Sequence, residues 1–76
     1  MFQELDIVVL QKDYPEYELK MGDTGTIVHV YQDGQSFEVE FVTADGKTVA
    51  VLTLASSDIR QMHKKEILHV RELIAA

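Results

Sequence analysis

The chain has no cysteine and no tryptophan, and only one proline and four glycines among 76 residues. Without cysteine there is no disulfide framework and no thiolate metal site. The same absence fits a reducing compartment, so a cytoplasmic location is expected. Unbroken apolar runs reach only four residues, far short of the roughly 20 that span a bilayer as a helix. The opening Met1–Asp6 carries Glu4 and Asp6 where a secretory signal would carry Lys or Arg, so no leader is expected. No repeat, low-complexity tract or Gly/Ser/Pro linker divides the chain, and its length makes one small domain.

Positive charge is also scarce. Seven Lys and Arg stand against thirteen Asp and Glu, for a net charge of −6. Residues 1–60 hold eleven acids against Lys12, Lys20, Lys47 and Arg60, a net of −7, while residues 61–76 are at +1 and contain His63 and His69. An acidic body argues against DNA or RNA, whose phosphates need a basic footprint. It argues equally against an anionic membrane surface.

What is present is a period of two, the mark of strands. Leu5–Leu10 reads as the first strand, with Leu5, Ile7 and Val9 on its core face. Gln11–Met21 loses the alternation and contains Pro15, so it reads as a long ordered loop. Thr24–Tyr31 is the second strand. Asp33-Gly34 and Asp45-Gly46 mark hairpins, since such pairs accept positive φ. Between them Phe37, Val39 and Phe41 alternate with Glu38 and Glu40. Thr48–Leu54 is the fourth strand, Ser56–Asp58 a turn and Ile59–Met62 a short fifth strand. In the tail, His63–Ala76, the spacing of Ile67, Val70 and Ile74 predicts a helix. Five short strands with tight turns predict a small all-β barrel over residues 1–62, followed by a helical tail over 63–76.

Leu5–Leu10 followed by Leu19–Val28 resembles the opening of SH3-like barrels, where a strand leads through a long loop to a Gly-Asp diverging turn. Phe37–Val42, Val49–Leu54, Asp58-Ile59-Arg60 and Glu66–Leu73 are similar to a family of short bacterial proteins, domain of unknown function 4926. That resemblance implies a five-stranded SH3-like fold and carries no activity with it. Peptide-binding SH3 domains read proline motifs with a tryptophan that this chain lacks, which argues against that ligand. Gly22–Val28 also resembles the loop of KOW modules, whose surroundings are basic; here they are acidic.

The polar residues form no constellation that demands chemistry. Glu38 and Glu40 share one strand face, where an outward glutamate is ordinary. His29, His63 and His69 lack ligand spacing, so neither a metal nor a cofactor is expected. No nucleophile sits beside a base, Ser56 and Ser57 read as turn residues, and catalysis is not expected. The informative stretch is Asp13-Tyr14-Pro15-Glu16-Tyr17-Glu18, since tyrosines beside acids on a loop suit an interface. On the fourth strand Val49, Val51 and Thr53 point one way and Ala50, Leu52 and Leu54 the other. With Val8 and Leu10, Leu52 and Leu54 then form an apolar outer face that the tail, a second copy or another protein must cover. Tyr14, Glu16, Tyr17, Leu52 and Leu54 are therefore the expected partner-binding residues. The expected function is a small acidic protein-interaction module, an accessory or antitoxin-like partner of a companion protein, monomeric or dimeric through strand four. The alternatives are a KOW-like nucleic-acid or ribosome-associated module and a small-ligand or metal sensor.

Overall fold

The computed structural model describes residues 1–73. Five strands make one antiparallel sheet: β1 (Ile7–Leu10), β2 (Thr24–Val30), β3 (Ser36–Val42), β4 (Thr48–Ala55) and β5 (Ile59–Gln61). Their order is β4-β3-β2-β1-β5. Among the described residues helix is confined to two single 3-10 turns, Pro15–Tyr17 and Ser56–Asp58. None is long and apolar enough to cross a membrane.

The expected barrel is not closed, because β4 and β5 stand at opposite edges and do not pair. The sheet is nevertheless rolled. Laid flat, five strands put their outer members about 19 Å apart. Only the Ser56–Asp58 turn joins those two edges, and the four steps from Ala55 to Ile59 reach at most about 14 Å. The roll encloses one core of Val8, Leu10, Leu19, Ile27, Phe37, Val39, Phe41, Leu52, Leu54 and Ile59. Phe2 closes it from outside, packing edge-on against Phe37 with ring centroids 5.2 Å apart.

β3 alternates as its sequence predicts, with Phe37, Val39 and Phe41 buried. Strands β1 and β4 face the other way from expectation. In β1, Val8 and Leu10 are 1% exposed whereas Ile7 is 53% and Leu5 78% exposed; of the three residues expected on the core face only Val9, at 5%, is buried. Leu5 is not in the strand at all: it sits at φ 73 in a turn where the Asp6 N–H donates to the Gln3 carbonyl (3.1 Å) and the Gln3 N–H to the Asp6 carboxylate (2.9 Å). In β4, a register shift sets the phase. Val42 pairs with Thr48 but Phe41 pairs with Ala50, so Val49 is an extra residue. Beyond it, Leu52 lies opposite Val39 and Leu54 opposite Phe37. Directly opposed residues share a face of a sheet, so both leucines are core.

Over its described residues the tail is not a helix. From His63 to Leu73 it is one turn and then irregular chain, held at two points by arginines. Arg60 grips Glu66 with both terminal guanidinium nitrogens (2.9 and 2.7 Å). Arg71 donates to the Asp23 carboxylate (3.0 and 2.5 Å) and to the Glu18 carbonyl (2.8 Å). An isolated helix of this length is marginal in water, and these anchors draw the chain out instead. Ile67, Leu68 and Val70 are 92%, 74% and 90% exposed, so the tail does not attach through these three, whereas Leu73 is half-buried. Ile74, the last member of the expected helix face, lies outside the described residues.

Arg60, then the His63 N–H (2.6 Å), hold the Glu66 carboxyl down to about 2. A carboxyl depressed on folding contributes stability above its unfolded value, and that contribution is lost as pH falls through the folded one. The first anchor should therefore persist through pH 4 and open only toward pH 2. A carboxyl-detected NMR titration checks this, with the Glu66 midpoint expected well below 4.

Candidate functional site

The loop Gln11–Asp23 is ordered by its own polar groups. Tyr14 and Leu19 form an antiparallel bridge around the Pro15–Tyr17 turn, and Glu18 ends that turn in the left-handed region at φ 61. The Asp13 carboxylate accepts the Met21 N–H (2.8 Å), and Asp23 accepts the Lys20 N–H (2.8 Å). Burial of Leu19, at 4% exposure, pins the loop to the core.

This loop and β4 form the two walls of an open groove of about 400 Å³, lined by Tyr14, Glu16, Tyr17 and the run Val51–Leu54. All five residues expected to bind a partner meet there, with different roles. Leu52 and Leu54 are its floor, 8% and 3% exposed, and belong to the core rather than to an uncovered outer face. Tyr14 is half-buried against that core, with the Lys12 ammonium 5.6 Å from its ring centroid. Tyr17 is 44% exposed, and Glu16 is exposed beside it. Tyr14→Ala should therefore cost about 1–3 kcal/mol, and Tyr17→Ala no more than about 0.5 kcal/mol; urea melts separate the two.

Lys12 and Asp58 bind one another at 2.9 Å beside Tyr14. Burial works against the Asp58 charge, but the Ala55 N–H and Lys12 outweigh it and hold its carboxyl below the usual range. Burial, then the Asp58 charge, push the Tyr14 phenol up. Tyr14 is thus a neutral amphipathic wall.

The main feature that side-chain patterning misses is backbone. The Ser56 N–H donates to the Gln35 carbonyl (3.1 Å), and Ser36 faces Ala55. In an antiparallel ladder bonded and non-bonded pairs alternate, so Leu54 and Leu52 exchange hydrogen bonds with Phe37 and Val39. The N–H and C=O groups of Val51 and Thr53 then point outward, along the edge that borders the groove. Ala55 points the same way, and its N–H is taken by the Asp58 carboxylate (3.0 Å). Amide exchange should reflect this parity, slow at Leu52 and Leu54 and fast at Val51 and Thr53, as read by NMR.

On the outer face Glu38 accepts hydrogen bonds from Thr53 (2.5 Å) and Tyr31 (2.5 Å), and Glu40 accepts one from Thr48 (2.8 Å). The Thr53 and Tyr31 hydroxyls hold the Glu38 carboxyl below the usual range. His29 packs against Tyr31, with ring centroids 4.8 Å apart. Among the described residues no three His, Asp or Glu side chains gather as metal ligands.

The fold and groove define a small all-β domain with an open sheet edge beside an ordered tyrosine loop. The chain belongs to the family described as domain of unknown function (DUF4926), which it matches over residues 4–61. That stretch contains all five strands and both 3-10 turns, and it ends before the tail. No curated protein and no solved structure matches the chain.

Proposed function

We propose that the protein is a protein-interaction module that takes up an extended segment of a partner as an added strand along β4. One observation carries this reading: Val51 and Thr53, whose backbone groups point outward by the parity of the ladder, line a groove whose other wall is Tyr14, Glu16 and Tyr17. β4 is eight residues long, Thr48–Ala55, without charge, proline or glycine. Exposed strands of that kind are normally blunted or covered, because they template pairing. Strand addition uses such an edge, with main-chain bonds giving affinity and flanking pockets giving selectivity.

An SH3-like ancestry is the finer form of the fold reading. It is supported by the strand order and by the single 3-10 turn between β4 and β5. Catalysis has no part in this proposal, and a cytoplasmic role as an accessory or antitoxin-like companion is its cellular form. The KOW-like alternative is disfavoured by the acidic loop, where Asp13, Glu16 and Glu18 would repel an approaching phosphate.

Selection from a random peptide library on the immobilised full chain, followed by NMR mapping, tests the proposal. Selected peptides are expected to shift and protect the Val51 and Thr53 amides and to lose binding with Tyr17→Ala. Shifts confined to other surfaces would overturn it.

A further inference from the structure

We infer that the segment bound along β4 alternates apolar and basic residues; this rests on the strand-addition reading above. Side chains of an added strand alternate between the two faces of the sheet. Those on the inner side meet the groove, with Leu52 and Leu54 as floor and the rings of Tyr14 and Tyr17 as wall. That environment takes Val, Leu or Ile.

The residues on the other side meet carboxylates. Glu38 and Glu40 stand on β3, one strand in from the edge, and both are drawn toward β4. Thr53 on β4 donates to Glu38 (2.5 Å) and Thr48 on β4 donates to Glu40 (2.8 Å). The edge is therefore backed by two fixed negative charges, about two strand spacings, or ~10 Å, from the added backbone. Lys and Arg side chains span that distance, with their stems lying across Val51, which is 51% exposed.

A second copy of the chain fits this edge less well. Pairing β4 with its own twin would bring two sets of Glu38 and Glu40 to one edge, while Lys12 beside the groove is already bound to Asp58. Charge complementarity selects a basic partner and rejects an acidic one.

Four seven-residue peptides, capped at both ends, test the inference on the full chain by NMR titration. They are alternating Lys/Val, alternating Ser/Val, alternating Glu/Val and a block peptide with the Lys/Val composition but no alternation. The alternating Lys/Val peptide should bind about tenfold tighter than the Ser/Val peptide, since a few exposed ion pairs sum to that ratio. It should also outbind the block peptide, and the Glu/Val peptide should not bind. The Lys/Val advantage over Ser/Val should shrink in the Glu38→Gln/Glu40→Gln variant, with circular dichroism confirming its fold. Equal binding of the Lys/Val and Ser/Val peptides at Val51 and Thr53 would overturn the basic preference and leave strand addition standing. Equal binding of the block peptide would reduce the effect to general charge attraction and overturn the register. If no peptide perturbs Val51 or Thr53, strand addition and the inference fail together.

Discussion

Leu10→Ala should cost about 2–5 kcal/mol, whereas Ile7→Ala, three residues earlier in the same strand, should cost under about 1 kcal/mol. Leu10 is 1% exposed and belongs to the cluster joining β1 to β4 and β5, while Ile7 is 53% exposed. Truncating Leu10 removes buried methyl groups and leaves a cavity that a domain this small fills poorly, because every strand already contributes to the one core. At roughly 0.05–0.15 kcal/mol per residue a domain of this length holds about 4–11 kcal/mol in total. One truncation therefore removes a large share of it, and the urea midpoint should fall steeply with the slope unchanged. If Ile7→Ala proves the more damaging, β1 faces the other way and Val8 and Leu10 return to the surface.

That experiment bears on where sequence reasoning succeeds. Phe37-Glu38-Val39-Glu40-Phe41 declares its inward face, because only one phase puts the carboxylates in water. Ile7-Val8-Val9-Leu10 is apolar throughout and declares none. Its phase comes from the turn at Leu5 and from pairing with both β2 and β5, contacts that no local pattern contains. β4 fails differently. Counted back from the Asp45-Gly46 hairpin, regular pairing would put Val49 opposite Phe41. The extra residue puts Ala50 there instead and inverts every later position. A bulge of that kind leaves no compositional mark.

The groove was half legible for the same reason. Tyr14, Glu16 and Tyr17 announce themselves by type, as aromatics and acids on a loop. Leu52 and Leu54 reach the same groove as its floor, although the sequence places them on an outer face. Val51 and Thr53 matter through their backbone, and a strand's place at a sheet edge depends on which strands pair far along the chain. The tail shows propensity overridden. Its helical spacing is real, but Arg60 and Arg71 have carboxylate partners within reach, and anchored contacts outweigh a short, unsupported helix.

Gly25→Ala should destabilise the domain by about 1–3 kcal/mol, although it adds one methyl group in an extended strand. The backbone at Gly25 needs no positive φ; the constraint is space. A Cβ there would lie 2.7 Å from Phe41 Cε2, 2.7 Å from Val39 Cγ1 and 2.9 Å from Phe41 Cδ2. Contacts that short force the Phe41 ring or the β2 backbone to move, and Phe41 and Val39 are both buried, at 2% and 0% exposure. An unhindered glycine-to-alanine change would instead stabilise by about 0.4–1 kcal/mol, since it restricts the unfolded chain. The sign of the effect therefore decides whether the ring lies over the glycine. A double-mutant cycle with Phe41→Leu sharpens the test. Trimming the ring should relieve part of the alanine's cost, giving a coupling of about 0.5–3 kcal/mol for residues in contact. Additive effects, or a stabilising Gly25→Ala, would mean that β2 and β3 do not approach as closely as this packing requires.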